Sequence, residues 1–497
     1  MKLPRLGLRH VAALLAGAFC VTGFAPFYWF PATILGLAVL IALWHKAETP
    51  GQAWWLGLAF GLGLFGVGIY WIYISLHDFG GMPTAMAVFA TVMLSLFMAL
   101  FPAITGWGAR KVGNPWLSIP VLWVLSEWVR GWIFTGFPWL LSGYSQIPGS
   151  PLAGFAPVLG IHGVSLATVV SASLLAAMAL HWRQHTVLRR NIALLALLWI
   201  AGVLLKLPHW STPSGEPVSV ALLQGNITQD LKWEHQTLHE TFQRYLDMTL
   251  QTRAQLIILP ETAFPLISSQ LPADYLQRLA DHARQNGGDI LIGTIEYENG
   301  QYYNSMLSLG TSPAQSYRKT HLVPFGEFIP LKQVFGWIYE NWLDIPLTDM
   351  SRGGFQQRPM QIAGQAVAIN ICYEDVFGEE IILQLPEANI LVNTSNDAWY
   401  GDSFAAYQHL QIAQARSMET ARMMLRSTNT GATAIIRTDG TLAAHAPHFQ
   451  TMILEGEVQG YQGATPYVRW GNWPILILLF TSAGVLLRHR ARPFAPQ

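Results

Sequence analysis

Residues 365–375 read QAVAINICYED. An apolar, β-branched run of this length, without helical periodicity, reads as a strand buried on both faces. It passes directly into Cys372, Tyr373, Glu374 and Asp375, which puts a thiol at the carboxyl end of a strand with acidic neighbours. That is where α/β sheets place their chemistry. Two other strands end in a similar way: QLIIL runs into Pro260, Glu261 and Thr262, and SYR runs into Lys319. Outward from these three, VSVALLQGN, DILIGTIEY, NSMLSLG, NILVNTSND, GATAIIRTDG and MILEGEV also read as strands. Helical periodicity covers 234–252, 272–286 and 403–423. The resulting block, 218–460, is long enough for one large α/β core.

The rest of the chain has a different solvent. Of the 497 residues, 52% are hydrophobic and only 12% charged, with 20 Trp, so a large share belongs in lipid. Apolar runs near 10–24, 27–44, 53–75, 84–107, 116–133, 152–180, 191–207 and 473–487 predict about eight transmembrane helices. Pro26 leaves only a tight turn between the first two, so a re-entrant pair is the alternative there. The expected organisation is a transmembrane bundle over 1–207, a Pro/Gly linker over 208–217, the α/β domain over 218–460, and a last helix with a basic tail over 461–497. Lys2, Arg5, Arg9, Lys46, Arg110, Lys111, Arg183, Arg189, Arg190, Arg488, Arg490 and Arg492 all fall on one side of this topology. Both termini are therefore expected in the cytoplasm, and the α/β domain on the outer, periplasmic side of a bacterial inner membrane. LLAGAFC at 14–20 has Phe19 where a lipoprotein cleavage site wants a small residue, so a cleaved signal is not expected.

The chain has two cysteines, Cys20 in a predicted membrane helix and Cys372 in the outer domain. A disulfide would need their Cα atoms within about 7 Å and is not expected. An unpaired thiol in an oxidising compartment then calls for another explanation, and reactivity is one. Taken singly, a Cys ending a buried strand is usually inert core, a Pro-Glu pair often starts a helix, and a Lys after a strand usually faces water. Their ordered combination is what points to an active site. The 15 His lack metal-ligand spacing, and neutral net charge without basic stripes excludes a nucleic-acid partner. Neither a metal nor a cofactor is expected.

The order Glu261, Lys319, Cys372 resembles the Glu-Lys-Cys triad of the carbon-nitrogen hydrolase (nitrilase) superfamily. The motifs LPETAFP, YRKTHLVPFGEFIP, ICYED, NTSNDAWYG and RSTNTG, with spans before and after them, are similar to the bacterial apolipoprotein N-acyltransferase family over essentially the whole chain. That resemblance implies an αββα sandwich and acyl transfer from a membrane phospholipid, through a thioester on Cys372, to the N-terminal amine of diacylglyceryl-modified apolipoproteins. It further implies roles for Glu327, Tyr373, Glu374 and Trp233, and more weakly for Asn304. The competing readings are a membrane-tethered amidase or nitrilase that uses water as acceptor, and a transporter. The spans offer no paired broken helices for the latter.

A thiol is mostly protonated at neutral pH, so it needs a base or a neighbouring cation. Glu261 supplies the first and Lys319 the second, which also faces the developing oxyanion. Glu127 and Arg130, three apart in the fifth span, share a helix face and read as a structural ion pair or a headgroup contact. VFGWIYENWLDIP at 334–346 is too apolar for idle surface, and reads either as an arm dipping into the outer leaflet or as a helix capping the sandwich. Replacing Trp337 and Trp342 with Ser should weaken acyl transfer while the domain stays folded; unchanged transfer would remove the arm.

Overall fold

The computed structural model describes residues 7–229, 235–330, 332–333 and 349–491. Trp233 and the aromatic segment 334–346 lie outside the described residues. The chain forms two compact units. One is built from the described parts of Met1–Ile72, Ala85–Pro208 and Arg469–Gln497, the other from Tyr73–Thr84 and His209–Val468.

The first unit is helical: α1 (Leu8–Cys20), α2 (Pro31–His45), α3 (Pro50–Gly68), α4 (Thr84–Val112), α5 (Pro115–Arg130), α6 (Ala156–Leu180) and α7 (His185–Leu205) precede the second unit, and a C-terminal helix (Trp473–Ala491) follows it. Among the described residues, Thr84–Val112, Pro151–Leu180 and His185–Leu205 are long and apolar enough to cross a membrane. A fourth span arises if Pro50–Gly68 and Trp71–Phe79, bent by 50°, count as one. Leu8–Gly23, Pro31–His45 and Trp473–Arg488 are apolar but shorter. Helices in lipid pack by close backbone approach through small residues: a Cβ on Gly17 of α1 would lie 1.9 Å from the Phe60 carbonyl oxygen of α3. Glu127 and Arg130 are both buried on α5. Glu127 Oε1 accepts from Trp123 Nε1 at 2.9 Å and the Ser142 N–H at 2.7 Å, while the Arg130 guanidinium lies 4.9 Å from the Phe65 ring centroid.

The second unit holds two six-stranded sheets of matching design. In the first, β1 (Val218–Gln224), β2 (Leu256–Ile258) and β3 (Asp289–Glu298) run parallel, with β4 (Gln301–Gly310) and β5 (Ser316–Arg318) added antiparallel beside β3. In the second, β7 (Gln365–Ile371), β8 (Ile390–Ser395) and β9 (Met423–Thr428) are the parallel trio. It is flanked antiparallel by β6 (Met360–Ile362) on one side and by β10 (Ala434–Ile436) and β11 (Leu442–His445) on the other. The last strand, β12 (Met452–Val458), returns to pair antiparallel with β1.

Strand alternation explains the layers. Val220, Leu222, Ile258, Ile369, Ile371 and Leu425 point into a shared core between the sheets. Ala221, Leu223 and Ile257 point the other way, toward α8 (His235–Gln251) and α9 (Ala273–Gln285). Ala368, Leu391 and Met424 of the second sheet meet α10 (Phe404–Thr420). Both faces of the central strands are therefore dry, which is why they read as continuous apolar runs, and the order of layers is αββα.

Two expectations need correction. The helix placed over 403–423 ends at Thr420, where Ala421 turns left-handed with φ 51°, and Met423–Thr428 is a strand. Arg422 and Arg426 break the apolar run, so the strand is hidden unless two arginines can be buried; both are. Within the 208–217 stretch, Thr212–Pro213 pairs antiparallel with Tyr461–Gln462, so that part is held to the second unit's own chain. Leu425, fully buried between the sheets, tests the packing: Leu425→Ala should lower unfolding stability by about 2–5 kcal/mol, read by denaturation of the purified chain.

Candidate active site

Glu261, Lys319 and Cys372 each follow the end of a strand. β2 delivers Glu261 through Pro260, and a left-handed Thr262 (φ 48°) turns the chain away immediately after it. This bend presses on β3, where a Cβ on Gly293 would lie 2.4 Å from the Pro260 carbonyl oxygen and 2.5 Å from the Thr262 nitrogen. Only glycine admits that approach. β5 delivers Lys319, whose N–H bonds the Asn304 carbonyl at 2.8 Å and whose own carbonyl accepts from the Gly353 N–H at 2.9 Å. β7 delivers Cys372 in left-handed backbone, φ 53°, an uncommon state for a residue with a side chain and one that marks a sharp elbow.

The three converge with Glu327 and Asn304. Lys319 Nζ donates to Glu261 Oε1 at 3.1 Å and to Glu327 Oε1 at 2.9 Å, with the lysine only 1% exposed. Asn304 Nδ2 donates to the same two oxygens at 2.8 and 2.9 Å. The far oxygens are held by backbone: Glu261 Oε2 accepts from Asn396 N–H at 3.0 Å and Glu327 Oε2 from Val323 N–H at 2.8 Å. The Cys372 thiol is buried and feels the charges of Glu261, Lys319 and Asp397.

Electrostatics follow from this crowding. Burial works against the Lys319 ammonium, but Glu261 and Glu327 outweigh it and push its pKa well above the usual lysine value. Burial and then the Glu261 charge push the Cys372 thiol well above its usual range, against the pull of Lys319. Burial thus favours a neutral Cys372 thiol beside a charged Lys319.

Glu374 ties the elbow to the Lys319 strand. Its carboxylate accepts from Ile371 N–H (2.6 Å), His321 N–H (3.1 Å), Thr320 N–H and the Tyr317 hydroxyl (3.1 Å). Burial raises its pKa to about 7 while those N–H groups hold it down. Tyr373 is buried, with its ring 5.2 Å from Phe377 and 5.9 Å from His321. Cys20 and Cys372 are both free thiols.

Two protein-family models match: the apolipoprotein N-acyltransferase N-terminal domain over residues 16–174 and carbon-nitrogen hydrolase over 219–467. Among curated relatives, the apolipoprotein N-acyltransferase of Nitrosomonas europaea is 53% identical over 96% of each chain. That of Chromobacterium violaceum is 46% identical over 95% of this chain and 92% of its own, and that of Methylococcus capsulatus 42% over 97% and 96%. The chain belongs to the apolipoprotein N-acyltransferase family.

Several residues placed around Glu261 and Cys372 were not singled out from the sequence. Ser395, Asn396, Asp397 and Arg426 lie inside the motifs NTSNDAWYG and RSTNTG, which carried the resemblance without any role being read from them. His409 had no sequence signal beyond its place in a helix. Gly293 gives a direct test of how Glu261 is placed: Gly293→Ala should cut turnover roughly 10²-fold, the effect of about 1 Å of misplacement, with thermal stability lowered far less than activity. Normal kinetics for this variant would mean that the bend at Glu261 tolerates displacement.

Proposed function

We propose that this chain N-acylates lipoproteins by a ping-pong reaction at Cys372, with Glu261 as general base and acid and Lys319 as the cation that faces the oxyanion. The observation that carries this reading is the convergence of Glu261, Lys319 and Cys372 from three separate strand ends, with the ammonium between two carboxylates. In the first half, the Cys372 sulfur attacks the ester carbonyl of a phospholipid as its proton passes to the Glu261 carboxylate. The tetrahedral oxyanion is stabilised by Lys319, which keeps its charge while Glu261 is protonated because the Glu327 carboxylate remains beside it. Collapse expels the lysophospholipid oxygen, which takes the proton back from Glu261, and leaves a thioester. In the second half, the α-amine of a diacylglyceryl-cysteine attacks the thioester and gives its proton to Glu261. The sulfur leaves and is reprotonated, and an amide remains. An amide is more stable than a thioester, so this half runs downhill.

Glu327 and Asn304 position Lys319 and Glu261, and Glu374 and Tyr373 shape the elbow. The membrane phospholipid is the acyl donor, Trp233 contributes to substrate handling, and no metal or cofactor takes part. The topology that fits the basic residues is about eight spans, both termini cytoplasmic and the 218–460 domain in the periplasm, in a bacterial inner membrane.

Mass spectrometry of the purified protein should find a fatty-acyl mass on the Cys372 peptide, lost in Cys372→Ser and discharged by a lipopeptide amine with amide formation. Discharge to free fatty acid alone would make the protein a hydrolase. Glu261→Gln should slow formation of the adduct roughly 10²- to 10⁴-fold.

A further inference from the structure

Behind the nucleophile lies a second charge cluster that the acyl-transfer scheme does not use. Asp375 follows the elbow, Asp397 follows β8, Arg426 sits in mid-β9 and His409 on α10, all buried. Arg426 bonds Asp375 Oδ2 through Nη1 at 3.1 Å and Asp397 Oδ2 through Nη2 at 2.9 Å. His409 Nε2 lies 2.8 Å from Asp375 Oδ1 and 3.2 Å from the Cys372 carbonyl oxygen, and its Nδ1 lies 3.1 Å from Asp397 Oδ1. These three partners are all acceptor oxygens. A neutral imidazole has one N–H, so one of its nitrogens would point a lone pair at a carboxylate. Two aspartates against one arginine would also leave a buried charge of −1, which is costly unless compensated.

We propose that His409 is held as an imidazolium and is a positioning residue: its Nε2–H, shared between Asp375 and the Cys372 carbonyl, fixes the left-handed backbone that aims the thiol. The Cys372 carbonyl has a second donor, Asn393 Nδ2 at 3.2 Å, so the elbow is gripped from two elements. Burial and Arg426 oppose the charged ring, but Asp375 and Asp397 raise its pKa to about 8. The ring is therefore charged below that pH and neutral above it. On its own helix Arg416 forms an ion pair with Glu419. The other titratable groups that couple to Asp397 include Cys372, Tyr400 and His448, whose ring stacks on Tyr407 and also feels Asp402, His445 and Arg426.

The proposal rests on Cys372 being the nucleophile, and the experiment keeps the two apart. The rate of acyl-adduct formation on Cys372 in the full-length protein should fall on the alkaline side with an apparent pKa near 8. In His409→Gln that limb should vanish, with kcat roughly tenfold lower and KM for lipid unchanged, as expected of lost positioning. Asp397→Asn removes one carboxylate and should move the limb about one unit to lower pH. If His409→Gln does not fold, the Asp397→Asn shift decides. An alkaline limb that persists in His409→Gln, or stays in place in Asp397→Asn, overturns the role. Nitrogen-15 NMR of the wild-type histidines needs no catalysis: both ring nitrogens of His409 should be protonated at neutral pH, and a neutral tautomer overturns the proposal even if no adduct forms on Cys372.

Discussion

Lys319 is an ammonium removed from water and placed between two carboxylates. A lone buried cation would shed its proton, and a lone buried carboxylate would take one up. Together they stay ionised, and the two hydrogen bonds from Asn304 tie both carboxylates to the same point. Most of the local architecture serves this arrangement. Gly293 allows the Glu261 bend, the Lys319 backbone is clamped from Asn304 and Gly353, and Glu374 gathers the N–H groups after Lys319 and before Cys372 onto one carboxylate.

The strands that carry Glu261 and Cys372 were legible because each is an apolar run ending abruptly in a charged or nucleophilic residue, whereas the strand before Lys319 is only the short, polar SYR. The four-layer order was legible through resemblance, and the strands themselves explain it: a run without alternation must be dry on both faces, so each sheet needs a partner sheet on one side and helices on the other. β9 was not legible. Arg422 and Arg426 look like solvent-facing residues, and only tertiary partners make them core: Arg422 satisfies carbonyls of Ala388 and Gly463, and Arg426 meets Asp375 and Asp397. The same limit hid His409, since a histidine on a helix buried nearly all round has no period or spacing that announces two carboxylates waiting across the fold. Span lengths were legible only in part: apolar content marks a run as lipid-compatible, but helix ends at Cys20 and Pro31, and the 50° bend after Gly68, depend on packing.

The two charge clusters at the elbow differ in a way that suits their positions. Behind the nucleophile, Asp375 and Asp397 against Arg426 and a charged His409 sum to zero. On the reactive side, Glu261 and Glu327 against Lys319 sum to −1. A thiol attacking a carbonyl must discard one proton, and the cluster with one surplus negative charge is where it can go without creating a buried net positive charge. In the proposed reaction Glu261, whose charge acts on the sulfur, is the acceptor, while Glu327 stays beside Lys319 when Glu261 becomes neutral. The second carboxylate is what lets the first change its protonation state without costing the cation that the oxyanion needs.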